Sequence, residues 1–464
     1  MSDIHFGTDG WRAIIGEDFT RENVIRVCDA AAQIFLREHE SGGTIIVGYD
    51  CRQDAGEYAA LAAEVLAGHG LSVKLSDAFC PTPTLCWSVK EDAQAIGGVM
   101  LTSSHNPAEY LGIKLRMADG GASPKSFTDE VEAIMESEPQ SKRGTYELVD
   151  LMTPYLEDLK SLVDTEAIRA ANLHVIYDPM FGAGRGYLTQ VFADLGVQVE
   201  EIHGETDPTF QGLHPEPIKP WINEACEKVA ISNVDAGFIT DGDADRIGAI
   251  DGSGNFVNPH QIITLLIAHL AQDKGMSGRV IRTISGSSLL ERQCKRLGLE
   301  LVTTPVGFKW IYEEMEKGGV LIGGEESGGI GIPGHVFERD GLLMALLLCE
   351  LMAQKGKSLG ELVADMFAQL GTLEYARRDL RVTQEQKDKF LANKDSESYN
   401  REEIAGLAVK SIDRRDGVKY CLQDDAWLLM RPSGTEPLVR VYGEGTSTQQ
   451  LEDILDAGCK MITG

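Results

Sequence analysis

The sequence predicts an α/β fold: three related α/β domains with mixed sheets, followed by a smaller α+β C-terminal domain. Three observations carry this reading. A strand–loop–helix–Gly–strand unit recurs three times, and the texture of the chain changes past Thr372. The length of 464 residues calls for about three domains, with two to four in range, because single cores stop growing near 250 residues.

The repeat sets the first three domains. Residues 44–50 (TIIVGYD) lead through a polar loop into an Ala-rich helix at 57–67, then through Gly70 into an apolar run at 71–73. Residues 173–178 (LHVIYD) lead through FGAGRG into a helix at 187–195, then Gly196 and a run at 197–199. Residues 279–284 (RVIRTI) lead through SGSS into a helix at 289–297, then Gly298 and a run at 299–301. Such units form right-handed crossovers in a sheet with helices on both faces. The copies place domains at 1–145, 146–255 and 256–370. Beyond them a Lys/Asp/Glu-rich stretch at 386–403 and short strand-like runs near 407–412, 418–422 and 427–430 mark a fourth domain at 371–464.

Composition bounds the partners. Hydrophobic content of 43 % and charged content of 25 % are those of a globular enzyme. A formal charge of -29, from 72 acidic and 43 basic side chains, argues against nucleic acid and anionic membrane as partners. An anionic ligand would need a local island of Arg, Lys, metal and backbone N–H groups. Nine cysteines, an odd count without CxxC pairs or zinc-spaced histidines, predict free thiols in a reducing cytoplasm. The N-terminus lacks a basic-then-apolar signal profile. The apolar stretch 342–353 carries Glu350 and is too short to span a bilayer, so it reads as a buried helix.

Four segments carry chemistry. Thr102-Ser103-Ser104-His105-Asn106-Pro107 follows the apolar run 97–101. Small residues, Asn and Pro there predict a tight exposed turn suited to a nucleophilic hydroxyl, or an ordinary turn. Lys114 lies ten residues on in a strand-like run. It is either a surface lysine or one whose pKa is lowered by burial beside other cations until it can exchange protons. Asp241, Asp243 and Asp245 follow the apolar run 236–240. On an extended backbone carboxylates at i, i+2 and i+4 share one side. Their mutual repulsion calls for a divalent cation, and oxygen-only ligands favour Mg²⁺. An EF-hand is excluded by Arg246 at the sixth position and Gly252 at the twelfth; a solvated acidic turn is the alternative.

Glu325 and Ser327, in Gly323-Gly324-Glu325-Glu326-Ser327-Gly328-Gly329, are two residues apart and would face one way on an extended chain. Together they suit vicinal sugar hydroxyls, which both donate and accept. Arg431-Pro432-Ser433-Gly434-Thr435-Glu436-Pro437-Leu438-Val439-Arg440 flanks hydroxyls and a glycine with two guanidinium groups, the composition of a phosphate cradle and the local basic island. No GxxxxGKS/T motif occurs. The run from Gly182 to Tyr187 lacks the last glycine of a dinucleotide fingerprint and reads as a turn.

In this order and spacing, with the opening Phe6-Gly7-Thr8-Asp9-Gly10-Trp11-Arg12, the loops resemble the α-D-phosphohexomutase family of phosphoglucomutases and phosphomannomutases, over essentially the whole chain. The resemblance implies four domains around a central cleft and Ser104 as a phosphorylated nucleophile. It implies Mg²⁺ held by Asp241, Asp243, Asp245 and the Ser104 phosphate. Lys114, Arg12 and His105 would assist proton transfer or stabilise charge. Glu325, Ser327, Gly307, Lys309 and Arg246 would bind the sugar. Arg431, Ser433, Gly434, Thr435 and Arg440 would bind the phosphate that stays put.

The implied reaction converts a hexose 1-phosphate to the 6-phosphate through glucose 1,6-bisphosphate, with a small phosphosugar as partner. Mannose- and glucosamine-handling relatives often carry His where this chain has Gly329, and residues 305–309 (PVGFK) resemble glucose-preferring members. Glucose is therefore expected, with mannose and glucosamine as alternatives. A Mg²⁺-dependent phosphatase with Asp241 as nucleophile and a non-catalytic phosphosugar-binding protein are the rivals from other classes. Monomer and homodimer are equally compatible with the sequence.

Overall fold

Each expected crossover unit builds its own sheet. The computed structural model of the chain describes residues 4–7, 9–39, 42–135, 139, 142–433 and 437–463. The first sheet has the strand order Trp11–Ile14, Tyr110–Met117, Ala95–Leu101, Thr44–Tyr49, Ser72–Ser76, Glu147–Val149. Its inner strands pair in parallel, whereas Tyr110–Met117 runs antiparallel to both neighbours. The second sheet runs Phe256–Val257, Ile247–Asp251, Ala236–Thr240, His174–Asp178, Gln198–Glu201, and the third Leu301–Thr304, Arg279–Thr283, Val320–Gly324, Ile330–Gly331. Glu147–Val149 thus carries the first sheet past the boundary read at 145, and Phe256–Val257 carries the second past 255.

The fourth sheet is antiparallel throughout and ordered Glu374–Arg381, Leu438–Gly445, Trp427–Pro432, Val418–Leu422, Leu407–Asp413, Glu403–Ile404. The helix Thr448–Thr463 packs on it through Leu451, Ile454 and Leu455. Three α/β units with mixed sheets and a C-terminal α+β unit make up the chain.

The apolar stretch near 342–353 is a buried helix, Gly341–Lys355. Asp340 caps its start by accepting from Leu343 N, and Gly356 closes it in the left-handed conformation. The helix joins one continuous apolar core that draws on all three α/β units, from Met100 and Leu85 through Val175 and Phe238 to Leu290 and Ile322. The fourth unit has a separate core and meets the third through a small cluster of Ile284, Trp427, Leu429 and Tyr442. The first three units are therefore bound together by shared burial, the fourth by this small cluster and by polar bonds to the third unit, among them Ser287 and Ser288 to Glu444, Lys419 to Ile284 O and Arg292 to Asp425. All nine cysteines are unpaired, and among the described residues no helix is long and apolar enough to cross a membrane.

Candidate active site

The loops that follow strands Ala95–Leu101 and Ala236–Thr240 meet at one point. Ser104 adopts a left-handed backbone (φ 50°), and its N–H is held by Thr102 Oγ1 at 2.9 Å. Its Oγ donates to Asp241 Oδ2 at 3.0 Å, and His105 Nδ1 lies 3.3 Å away. The turn is not the exposed one expected: Ser104 is 1 % exposed, because the aspartate loop packs directly over it. A side chain at Gly242 would strike the Ser104 carbonyl oxygen, 2.3 Å from the Cβ position.

The aspartate loop also departs from expectation. Residues 241–245 form a turn with Ala244 in the left-handed region, so strand alternation is not what aligns the carboxylates. The turn itself brings one oxygen of each within 4.8 Å of the others, all buried. Among the described residues Asp243 Oδ1 and Asp245 Oδ1 have no hydrogen-bond partner, an arrangement that is expensive without a ligand. Burial, then Asp245 and Asp243, push the Asp241 carboxyl well above the usual range. Three buried oxygen donors with spare lone pairs fit a hard divalent cation.

Lys114 corrects a second expectation. It is buried in strand Tyr110–Met117, with Nζ 2.8 Å from Asp243 Oδ2, 2.9 Å from Asp9 Oδ2 and 3.4 Å from Asp245 Oδ2. Burial alone would lower its pKa, but Asp243, Asp9 and Asp245 outweigh burial and raise it. Its carboxylate neighbours outweigh the nearby cation Arg339, so it stays charged. His105 goes the other way: burial, then Arg246 and Arg12, hold it well below its ordinary value, leaving a neutral ring beside Ser104. Arg12 Nη1 donates to Asn106 Oδ1 at 2.7 Å.

The third loop is a turn as well, closed by Gly328 N to Glu325 O and Glu325 N to Gly329 O. The alternation argument for Glu325 and Ser327 therefore does not apply to it. Glu325 is buried and accepts from Gly307 N at 3.0 Å. Burial, then the neighbouring Glu326, push its carboxyl up to about 7, against the pull of Arg339 and Arg246. Arg246 joins the second and third loops: its N–H donates to Asp241 Oδ1, its guanidinium pairs with Glu216, and its backbone bridges to Gly329. Lys309 sits 4.7 Å from the centroid of the Trp310 ring.

In the fourth unit Arg431 and Arg440 are direct cross-strand partners, a like-charge pairing that is unfavourable unless an anion answers it. Arg431 Nε pairs with Asp416 at 2.8 Å, and Arg440 Nε is buried with no partner among the described residues. Ser433 N donates to Leu438 O at 2.8 Å; Gly434 and Thr435 lie outside the described residues.

Residues unread from the sequence complete the centre. Arg339 Nη2 reaches Asp9 Oδ2 and Asp245 Oδ2, both at 2.8 Å, while Arg116 joins Asp9 to Glu338. Thr82 donates to Asp243 Oδ2 at 2.6 Å. The signal available was Glu338-Arg339-Asp340, a charged run placed just before a largely apolar helix. A Cβ at Gly329 would lie 2.4 Å from Arg339 Cδ, so this arginine fills the space a side chain at 329 would need.

Comparison with known proteins agrees along the whole chain. Phosphoglucomutase/phosphomannomutase alpha/beta/alpha domain I matches residues 3–142, domain II 153–254, domain III 258–370 and the C-terminal domain 380–460. A phosphoglucomutase/phosphomannomutase of Thermococcus kodakarensis is 31 % identical over 98 % of both chains. A phosphoglucosamine mutase of Carboxydothermus hydrogenoformans is 31 % identical over 97 % of both. The crystal structure of a Thermus thermophilus protein described as a putative phosphomannomutase covers 100 % of both chains at 37 % identity, with a TM-score of 0.89. The chain belongs to the phosphoglucomutase/phosphomannomutase family, the α-D-phosphohexomutases, and is an intramolecular phosphotransferase.

Proposed function

We propose that the protein interconverts glucose 1-phosphate and glucose 6-phosphate through a phosphoryl group stored on Ser104 and a glucose 1,6-bisphosphate intermediate. The observation that carries this is the Ser104 hydroxyl bonded at 3.0 Å to one of three clustered, buried carboxylates. Phosphoryl transfer asks for positioning and charge neutralisation more than for covalent help. Mg²⁺ held by Asp241, Asp243, Asp245 and the Ser104 phosphate would supply that neutralisation.

The chain's own residues divide the remaining work. Arg431, Ser433 and Arg440, with Gly434 and Thr435 between them in sequence, hold the phosphate that is not moving. Glu325 and Ser327 bond vicinal hydroxyls, with Gly307, Lys309 and Arg246 around them. Lys114 and Arg12, both cationic, stabilise the transferring group. As the 6-oxygen of glucose 1-phosphate bonds to phosphorus, the bond from phosphorus to Ser104 Oγ breaks. The proton leaving the 6-hydroxyl passes to neutral His105 and returns to the serine oxygen. The bisphosphate then turns over in the cleft and gives its 1-phosphate to Ser104, leaving glucose 6-phosphate. Donor–acceptor reciprocity lets one Glu325/Ser327 pair serve both poses. The fourth unit, whose core is separate from that of the other three, would serve as a lid that grips phosphate and excludes water.

Glucose is the assigned sugar because Arg339 leaves no room at Gly329 for the His of mannose- and glucosamine-type relatives. The test is incubation with glucose 1-phosphate, Mg²⁺ and a trace of the bisphosphate. Expected are 6-phosphate as product and a phosphorylated protein by intact mass, both lost in Ser104→Ala. Stoichiometric release of inorganic phosphate without 6-phosphate refutes the mutase. A higher kcat/KM for mannose or glucosamine 1-phosphate overturns the sugar alone.

A further inference from the structure

We propose that Arg52 is the positioning residue that sets the Ser104 hydroxyl for phosphoryl transfer, by clamping the backbone of its loop from beneath. Arg52 lies between strand Thr44–Tyr49 and helix Ala55–Gly68, and its side chain is fully buried. Nη2 donates to Ser104 O at 2.7 Å and to Asn106 O at 2.6 Å. Nη1 donates to Pro107 O at 2.6 Å and to Tyr110 O at 2.9 Å. One guanidinium thus satisfies four carbonyl oxygens along the nucleophile turn.

The other side of the Ser104 peptide is tied to the same group. Asp50 Oδ2 lies 3.2 Å from Arg52 Nε and accepts from Thr102 Oγ1 at 2.5 Å, and that hydroxyl oxygen takes the Ser104 N–H. Both the N–H and the C=O of Ser104 are therefore fixed by one Asp–Arg pair. Such fixing is needed, since the residue holds a positive φ that non-glycine residues leave unless their surroundings over-determine them. Only a planar five-donor fork meets four carbonyls at once; an ammonium has three donors on one point. Phe210, from the second unit, covers the guanidinium with its ring centroid 5.2 Å from Cζ. The clamp is thereby tied to the unit that carries the aspartates.

Arg52 touches no reacting atom, so it acts through the place of Oγ. The proposal rests on Ser104 being the phosphoryl carrier. The test measures kcat, KM and the rate of phosphorylation by glucose 1,6-bisphosphate for Arg52→Lys and Arg52→Ala, with melting curves alongside. Misplacing a reacting atom by about 1 Å lowers the rate on the order of 10²-fold. A kcat fall of that order is expected, with KM within about threefold of the parent because the sugar contacts are untouched. Guanidinium chloride should restore part of the lost kcat in Arg52→Ala, and sodium chloride at the same concentration should not. If Arg52→Ala does not fold, Arg52→Lys, which keeps the charge and the aliphatic stem, decides. A folded lysine variant with parental kcat and phosphorylation rate overturns the clamp. So does equal recovery with either salt. A parent protein never phosphorylated at residue 104 overturns the function reading instead, so the two failures are separable.

Discussion

Gly329 and Arg339 compete for one volume, and this makes Gly329→Ala a sharp perturbation. The added methyl would lie 2.4 Å from Arg339 Cδ, at least about 1 Å inside the roughly 3.5–4.0 Å optimum for carbon contacts. Arg339 cannot yield freely, because its guanidinium is held at 2.8 Å by Asp9 and Asp245 and its Nε at 2.9 Å by Glu338. Moving the stem by about 1 Å would stretch these bonds beyond the roughly 3.2 Å limit of a good hydrogen bond. Overpacking of this kind costs about 2 kcal/mol, and losing the buried pairs entirely would raise that to about 3–5 kcal/mol. A drop in Tm of roughly 2–3 °C follows for the smaller figure, because the three units that share one core unfold with a large entropy.

The assay is thermal melting of a double-mutant cycle with Arg339→Ala. Arg339→Ala alone should be strongly destabilising, by about 3–5 kcal/mol, since it strands buried carboxylates. On that background Gly329→Ala should cost less than about 0.5 kcal/mol, because the clashing atom is gone. Equal cost in both backgrounds would refute the competition, and with it the physical basis for assigning glucose.

Three other outcomes are expected. His335 donates to Asp158 at 3.0 Å and to Asp340 at 2.9 Å; burial lowers its pKa, but the two carboxylates win and raise it from 6.5 to about 9. A raised folded value means its contribution, about 3 kcal/mol from the size of the shift, is complete below about pH 6.5 and lost as pH climbs through 9. His335→Gln should flatten that alkaline loss in pH-dependent melting, and an unchanged slope rules the coupling out. Mg²⁺ should raise Tm progressively with the logarithm of its concentration, the added stability reaching about 2.7 kcal/mol at a hundred times its Kd. Asp241→Asn should lose the rise, and an equal rise in both proteins excludes the aspartate cluster as holder. Glu325, pushed up to about 7, bonds sugar best when ionised. KM should therefore rise as pH falls from about 8 to about 6 in the parent but not in Glu325→Gln; a flat parental profile removes Glu325 from the sugar site.

Much of the fold was legible because it rests on local periodicity. Strands such as Thr44–Tyr49 and Ala236–Thr240 are buried on both faces, and their near-continuous apolar runs announce them. The loops after them were legible for the same reason: small and charged residues straight after a buried strand stand out by composition. What composition misled on was backbone shape. Alternation along an extended chain was the stated ground for grouping Asp241 with Asp245 and Glu325 with Ser327, yet both segments are turns. Arg339, Asp9, Thr82 and Arg52 escaped because each owes its place to a partner remote in sequence, 330 residues away for Arg339 and Asp9.

Sequence alone was enough to say which elements exist, which loops carry oxygen donors and guanidinium groups, and which family the chain resembles. These are matters of covalent identity and short-range pattern. Folding decided that Ser104 and Asp241, 137 positions apart, share a hydrogen bond. It also decided that Lys114 is ringed by carboxylates and His105 by cations, so that one is held charged and the other neutral. Electrostatic energy depends on distance through space and on burial, and spacing along a chain encodes neither.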